Sequence, residues 1–233
     1  MMKTLKILAA VMLLFAAQTF AASTEDRPVS GFHAVDAAGS FDVYITQGNT
    51  EAVKVEAPDD VIKNVMTEVK NGTLRIYNKQ QMSWKNIFNN KKVVVYVTLK
   101  TVDGVSLSGS GNVTFKDGLN AAGNMRVQVS GSGNMQGKLT AKALDAGVSG
   151  SGNLKLSGGA ENQNINVSGS GNYSARDFTS ANVNVSVSGS GNAAVYASES
   201  INAHVSGSGD VRYGGNPKNV AKSKSGSGSV SSF

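Results

Sequence analysis

Between Val105 and Tyr213 the chain keeps one rhythm: two apolar residues at alternate positions, a five-residue polar break, then two more at alternate positions. Aligned on the first residue of each break, the preceding positions are Leu107, Val129, Val148, Val167, Val187 and Val205. Two residues earlier stand Val105, Val127, Ala146, Ile165, Val185 and Ala203. A period of two places these residues on one face of a strand. Directly after the break come Val113, Met135, Leu154, Tyr173, Ala193 and Val211, and two further on Phe115, Gly137, Leu156, Ala175, Val195 and Tyr213. Each repeat therefore predicts at least two short strands joined across a turn.

The break is Ser-Gly-Ser-Gly-Asn or a near copy, and it starts at Ser108, Ser130, Ser149, Ser168, Ser188, Ser206 and Ser225, with spacings of 22, 19, 19, 20, 18 and 19 residues. Units with such short strands bury their apolar side only by stacking on one another. The fold class read from this period is all-β, a parallel β-helix (solenoid) with coils of about 19 residues, in which equivalent strands lie about 4.8 Å apart. A propeller blade needs about twice this period, and the leucine consensus of leucine-rich repeats is absent.

Within the break, strict alternation points Gly131 and Gly133 inward and Ser130, Ser132 and Asn134 outward. The expected turn and ladder positions are Gly109, Gly111 and Asn112; Gly131, Gly133 and Asn134; Gly150, Gly152 and Asn153; Gly169, Gly171 and Asn172; Gly189, Gly191 and Asn192; and Gly207, Gly209 and Asp210. Glycine permits the tight turn, and stacked Asn side chains bond the backbone or one another. Asp210 continues the Asn column and Ser229 ends it. The last copy carries Lys222 and Lys224 where earlier ones carry apolar residues, which reads as a polar cap closing the solenoid.

Upstream, strands are expected at Phe41–Ile45, Val53–Val55, Leu74–Tyr77 and Val93–Val97, with turns at Gln47-Gly48-Asn49 and Asn71-Gly72. A short helix is expected within Ala57–Val69, and a loop containing Trp84 over 78–92. Lys3 and Lys6 precede an apolar run, Ile7–Phe15, and Thr19-Phe20-Ala21 offers a small-x-small site, so residues 1–21 read as a signal peptide. The organisation is then 1–21 leader, 22–105 irregular N-terminal β coils and 106–233 regular repeats with a polar C-terminal cap, with 22–233 one continuous domain; a separate small β subdomain upstream is the alternative.

Phe41-Asp42-Val43-Tyr44-Ile45-Thr46-Gln47-Gly48, Asn71-Gly72-Thr73-Leu74-Arg75-Ile76, Val97-Thr98-Leu99 and the serial breaks together resemble the family described as putative auto-transporter adhesin, head GIN domain, over about residues 30–230. The resemblance implies a single-stranded right-handed β-helix from an exported bacterial protein, and supplies no mechanism.

Composition narrows the chemistry. There is no cysteine, which excludes disulfides and a cysteine-linked lipid. The formal charge of +6 falls to +4 without Lys3 and Lys6, and Lys91-Lys92 and the Lys218, Lys222, Lys224 group are the only basic concentrations, so no nucleic acid partner is expected. His33 stands alone near the start, and His204 falls at an outward position. Arg126, Asp145, Arg176, Asp177 and Arg212 sit at different offsets in different repeats. No residue is therefore assigned as catalytic, cofactor-binding or metal-ligating, and no cofactor is expected. The break lacks the Lys-Ser/Thr of a phosphate loop and the nine-residue period of calcium-binding repeats.

The expected function is an exported, non-enzymatic structural or adhesin-like module of the bacterial envelope, located in the periplasm, on the outer-membrane surface or secreted. A glycan, an envelope polymer or a cell surface is the expected partner class; the outward Ser and Asn columns read first as satisfying the turn backbones, with glycan or ice binding as the alternative. A polysaccharide-binding or polysaccharide-processing β-helix is the alternative, and end-to-end assembly is a third reading.

Overall fold

The computed structural model describes residues 22–79 and 91–233; the leader read at 1–21, and Trp84 with most of its loop, lie outside the described residues. The described chain opens with β1 (Ser23–Arg27), β2 (Ala34–Gly39), β3 (Asp42–Gln47) and β4 (Ala52–Ala57). A single helical turn, α1 (Asp59–Ile62), leads into β5 (Val65–Lys70), β6 (Thr73–Asn78) and β7 (Val94–Leu99). The motif region begins with β8 (Gly104–Gly109), β9 (Asn112–Phe115), β10 (Leu119–Asn120) and β11 (Asn124–Gly131). Four long strands follow, each bending round most of a coil: β12 (Asn134–Gly150), β13 (Asn153–Gly169), β14 (Asn172–Gly189) and β15 (Asn192–Gly207). The chain ends in β16 (Asp210–Gly214), β17 (Asn219–Ser225) and β18 (Ser229–Ser232).

These strands form a parallel β-solenoid of about seven turns. The motif sets the register: Ser130 pairs with Ser108 and Ser149, then Ser168, Ser188, Ser206 and Ser225 continue the same column. Strands before the motif make one side of the coil, strands after it make a second, and the two meet at the Ser-Gly-Ser-Gly corner. The apolar positions predicted from alternation, Val127, Val129, Leu154 and Val187 among them, are buried in one continuous core. Each fully buried Val or Leu there contributes about 1.5–3 kcal/mol, and no repeat encloses that core without its neighbours.

The upstream region departs from sequential winding. The first coil, β2 and β3, lies inside the stack, with β6 and β7 on one side and β8 and β9 on the other. Antiparallel strands close that end, β5 on β6, β4 on β7 and β1 on β4. Here Ala38-Gly39-Ser40-Phe41-Asp42 occupies the place of Ser108-Gly109-Ser110-Gly111-Asn112 and is a degenerate first copy of the motif. The expected helix shrinks to one turn because Val65–Lys70 alternates with a period of two and pairs with β6 through the Asn71-Gly72 turn, where both residues have positive φ, 50° and 73°.

Alternation across the corner also needs correction. Gly133 is buried as expected, but Gly131 is exposed, because its φ of 106° breaks the alternation at that residue. At the far end, β17 pairs with β15 along its length, although every one of its residues is exposed. Lys222, on the strand face that is apolar in earlier coils, sets its ammonium 4.9 Å from the Tyr213 ring centre and donates to the Val230 carbonyl at 3.3 Å.

Candidate functional site

The corner is stitched by the backbone. The Gly109 carbonyl accepts both the Ser132 and Gly133 N–H groups, each at 2.9 Å, and the Gly131 carbonyl accepts Ser151 and Gly152 at 2.8 and 2.9 Å. The two glycines of each copy serve this contact differently. The first adopts positive φ, and a Cβ on Gly131 would come 2.6 Å from the Gly109 oxygen. The second lies underneath, and a Cβ on Gly171 would come 2.3 Å from the Gly152 oxygen and 2.6 Å from Val148 Cγ1. The same pattern runs through Gly111, Gly150, Gly152, Gly169, Gly189, Gly191, Gly207 and Gly209.

Beside the corner runs an amide ladder with a direction. Asn112 Nδ2 donates to Asp42 Oδ1 at 2.8 Å, Asn134 to Asn112 at 3.1 Å, Asn153 to Asn134 at 2.9 Å, Asn172 to Asn153 at 2.9 Å and Asn192 to Asn172 at 3.0 Å. Each amide gives its N–H toward the N-terminal end and offers its oxygen to the next coil. Only an acceptor is required at the start, and Asp42 supplies it. At the other end Asp210 accepts from Ser229 through its backbone N–H and its hydroxyl, at 3.0 and 2.6 Å. Those two bonds, the hydroxyl foremost, hold the Asp210 carboxyl below the usual carboxylate range.

A second polar surface lies on the side before the corner. Thr73, Ala34, Gly104, Arg126, Asp145, Asn164, Asn184 and Asn202 form one column across eight paired strands. Two residues along, Asp36, Ser106, Gln128, Gly147, Asn166, Ser186 and His204 form a parallel column. Two shallow cavities of about 440 and 390 Å³ lie along these columns and meet at Asp145. Alternation places His204 outward as expected, and the companion column of Asn164, Asn184 and Asn202 is a feature the repeat pattern does not single out. Its signal is the Asn-x-Asn run in Asn162-Gln163-Asn164-Ile165-Asn166 and its weaker copies one and two coils on.

Among the described residues, Asp36, Asp103, Arg126 and Asp145 line one of these cavities, and each carboxylate has a protein partner. Asp36 and Asp145 stand three strand spacings apart along the axis and two residues apart along the strand, about 16 Å in all, well beyond the 5–9.5 Å that separates paired glycosidase carboxylates. Asp103 lies 2.8 Å from His33 Nδ1, Asp36 faces Arg75 at 3.9 Å, and Asp145 accepts from Asn164 at 3.2 Å. His204 is an exposed residue on the outer face. Among the described residues no three His, Asp or Glu side chains come together as metal ligands, and no helix is long and apolar enough to cross a membrane.

A parallel solenoid whose corners repeat Ser-Gly-Ser-Gly-Asn and whose outer surface is ordered rows of amides and hydroxyls defines the class of protein. The chain belongs to the family described as putative auto-transporter adhesin, head GIN domain, whose model matches residues 31–217. A crystal structure described as a putative adhesin from Bacteroides fragilis NCTC 9343 superposes with a TM-score of 0.85 at 28% identity, over 91% of this chain and 97% of that one. A putative lipid binding protein from Parabacteroides distasonis ATCC 8503 shares the fold at a TM-score of 0.72 and 24% identity, over 92% and 98% of the two chains. A putative adhesin from Parabacteroides merdae ATCC 43184 does so at 0.68 and 22%, over 92% and 97%. No curated protein matches the chain in sequence.

Proposed function

We propose that this chain is an exported, non-enzymatic adhesin-like module of the bacterial cell envelope, acting by contact through its polar exterior. The observation that carries this reading is the combination of long in-register rows of neutral polar side chains with carboxylates already committed to protein partners. Catalysis needs groups that converge on one reacting atom, whereas adhesion needs a repeated surface, and the solenoid supplies the second. Family membership and the Bacteroides fragilis neighbour, itself described as a putative adhesin, support the same reading.

Export rests on Lys3, Lys6 and the apolar run Ile7–Phe15. The periplasm and the outer-membrane surface are the compartments it fits. The test is cell fractionation of the full chain, followed by binding of the purified mature protein to whole cells, envelope fractions and polysaccharides, with product analysis of the same polysaccharides. Retention on at least one surface without new reducing ends is expected. A chain that stays in the cytoplasm, adheres to nothing or cleaves a polymer overturns the proposal.

A further inference from the structure

We infer that the trough before the corner, rather than the Ser-Gly-Ser-Gly-Asn stripe, is the ligand-binding surface, and that it takes an extended neutral glycan lying along the solenoid axis. The inference rests on the adhesive reading above and names its ligand class. From Thr73 to Asn202 the trough crosses seven strand spacings, about 34 Å, and its two walls are about 7 Å apart. One wall carries Asp145, Asn164, Asn184 and Asn202, and the other Asn166, Ser186 and His204. The floor is closed by the buried Ile165 and Val185.

Three properties select the occupant. Strands β2, β8 and β11 to β15 are paired on both sides in this region, so no backbone edge is open to an added peptide strand. Asp36, Asp103 and Asp145 line one cavity with Arg126, and Arg75 lies against Asp36, so the carboxylates outnumber the guanidiniums and the surface offers nucleic acid no basic track. Carboxamides donate and accept at once, which matches a hydroxyl row whose groups also do both. The strand spacing, close to the rise of one unit in an extended pyranose chain, presents a fresh pair of walls to each sugar.

The trough also has spare hydrogen-bonding capacity. Its ladder bonds join Asn164 to Asp145 and Asn184 to Asn164, and none involves Asn166 or Asn202. On the motif stripe, by contrast, every Asn from Asn112 to Asn192 donates to its neighbour. Losing the stripe amides should therefore loosen the fold, and losing Asn166 and Asn202 should not.

The test is binding of the purified mature chain to an oligosaccharide array and to immobilised dextran, linear β-glucan, galactomannan, polygalacturonate and heparin. Wild type should bind neutral glycans and not the two acidic polymers. The double variant Asn166→Ala, Asn202→Ala should weaken binding about tenfold or more at an unchanged melting midpoint. Ser186→Arg, which fills the trough without touching a ladder bond, should abolish it. The triple variant Ser132→Ala, Ser151→Ala, Ser170→Ala should bind as wild type. Trough variants that bind normally while the serine variant fails would overturn the assignment and leave the adhesive reading standing, as would binding confined to acidic polymers or to protein. A wild type that binds nothing on cells or array overturns both.

Discussion

Each motif glycine lies against a carbonyl of the preceding coil that is held by backbone hydrogen bonds, which leaves no space for a methyl group beside it. At Gly171 an added Cβ would meet the Gly152 oxygen at 2.3 Å and a packed valine methyl at 2.6 Å, both held by neighbouring coils. Gly171→Ala is expected to cost about 3 kcal/mol or more. Gly123, where a Cβ meets nothing within 4 Å, should accept alanine with a change of about 1 kcal/mol or less. Chemical denaturation of the two variants checks the contrast, and equal losses would mean the corners are not tightly stacked. Inside the core the argument reverses. The Tyr173 hydroxyl and the Gln163 amide are buried without a partner, and burial pushes the Tyr173 phenol far above its ordinary range, so it stays neutral. An orphaned polar group costs about 1–3 kcal/mol. Tyr173→Phe and Gln163→Leu should each stabilise the protein by about 1 kcal/mol, read as a rise in denaturation midpoint; a loss would reveal an internal partner such as a bound water.

At the scale of the element, the coil was legible because its signal is repeated. Six aligned copies of the alternation placed the strands, the corner and the buried valines, and one wrong inference about Gly131 came from extending a strand rule through a residue with positive φ. The first coil was harder. Phe41 stands where later copies have glycine, and a tight corner is dispensable there because Asp42 meets the Val93 carbonyl rather than another motif corner. Its place between β6–β7 and β8–β9 depends on pairing across tens of residues, which local periodicity does not encode. The ladder was legible by composition but its polarity was not, since that follows from the acceptor-only Asp42 at its start. The last coil carries a pH dependence of its own. Because the Asp210 carboxyl is held low by Ser229, the contact is fully present above the ordinary carboxylate range and is lost as pH falls through the depressed native value. In NMR spectra the Ser229 amide should shift on acidification in step with Asp210. Asp210→Asn keeps an acceptor for Ser229 and should remove that shift; persistence of the shift would place its origin elsewhere.

Taken as a whole molecule, the solenoid makes each coil answer mainly to the coils beside it, so stability should approximate a sum of coil and interface contributions. The register makes this testable by subtraction. Asn134 pairs with Asn153 and Asn153 with Asn172, while Gly150 pairs with Gly169. Excising 153–171 would join Gly152 to Asn172 at the same point of the corner, with Asn172 then able to donate to Asn134. The shortened chain should fold, retain its β-rich circular dichroism and melt cooperatively, with scattering showing a particle shorter by about one strand spacing, ~4.8 Å. Excising the first coil, 34–47, is expected to behave differently. Its neighbours β6–β7 and β8–β9 both pair with it, and the antiparallel strands that close the end are anchored on β6 and β7. Removing it takes away the Gly39 and Phe41 carbonyls that the glycines of the first Ser-Gly-Ser-Gly corner are shaped to receive. That variant should unfold at markedly lower denaturant. If both deletions are tolerated alike, the first coil is interchangeable with the others; if neither is, the repeats act as one indivisible unit and the additive picture fails.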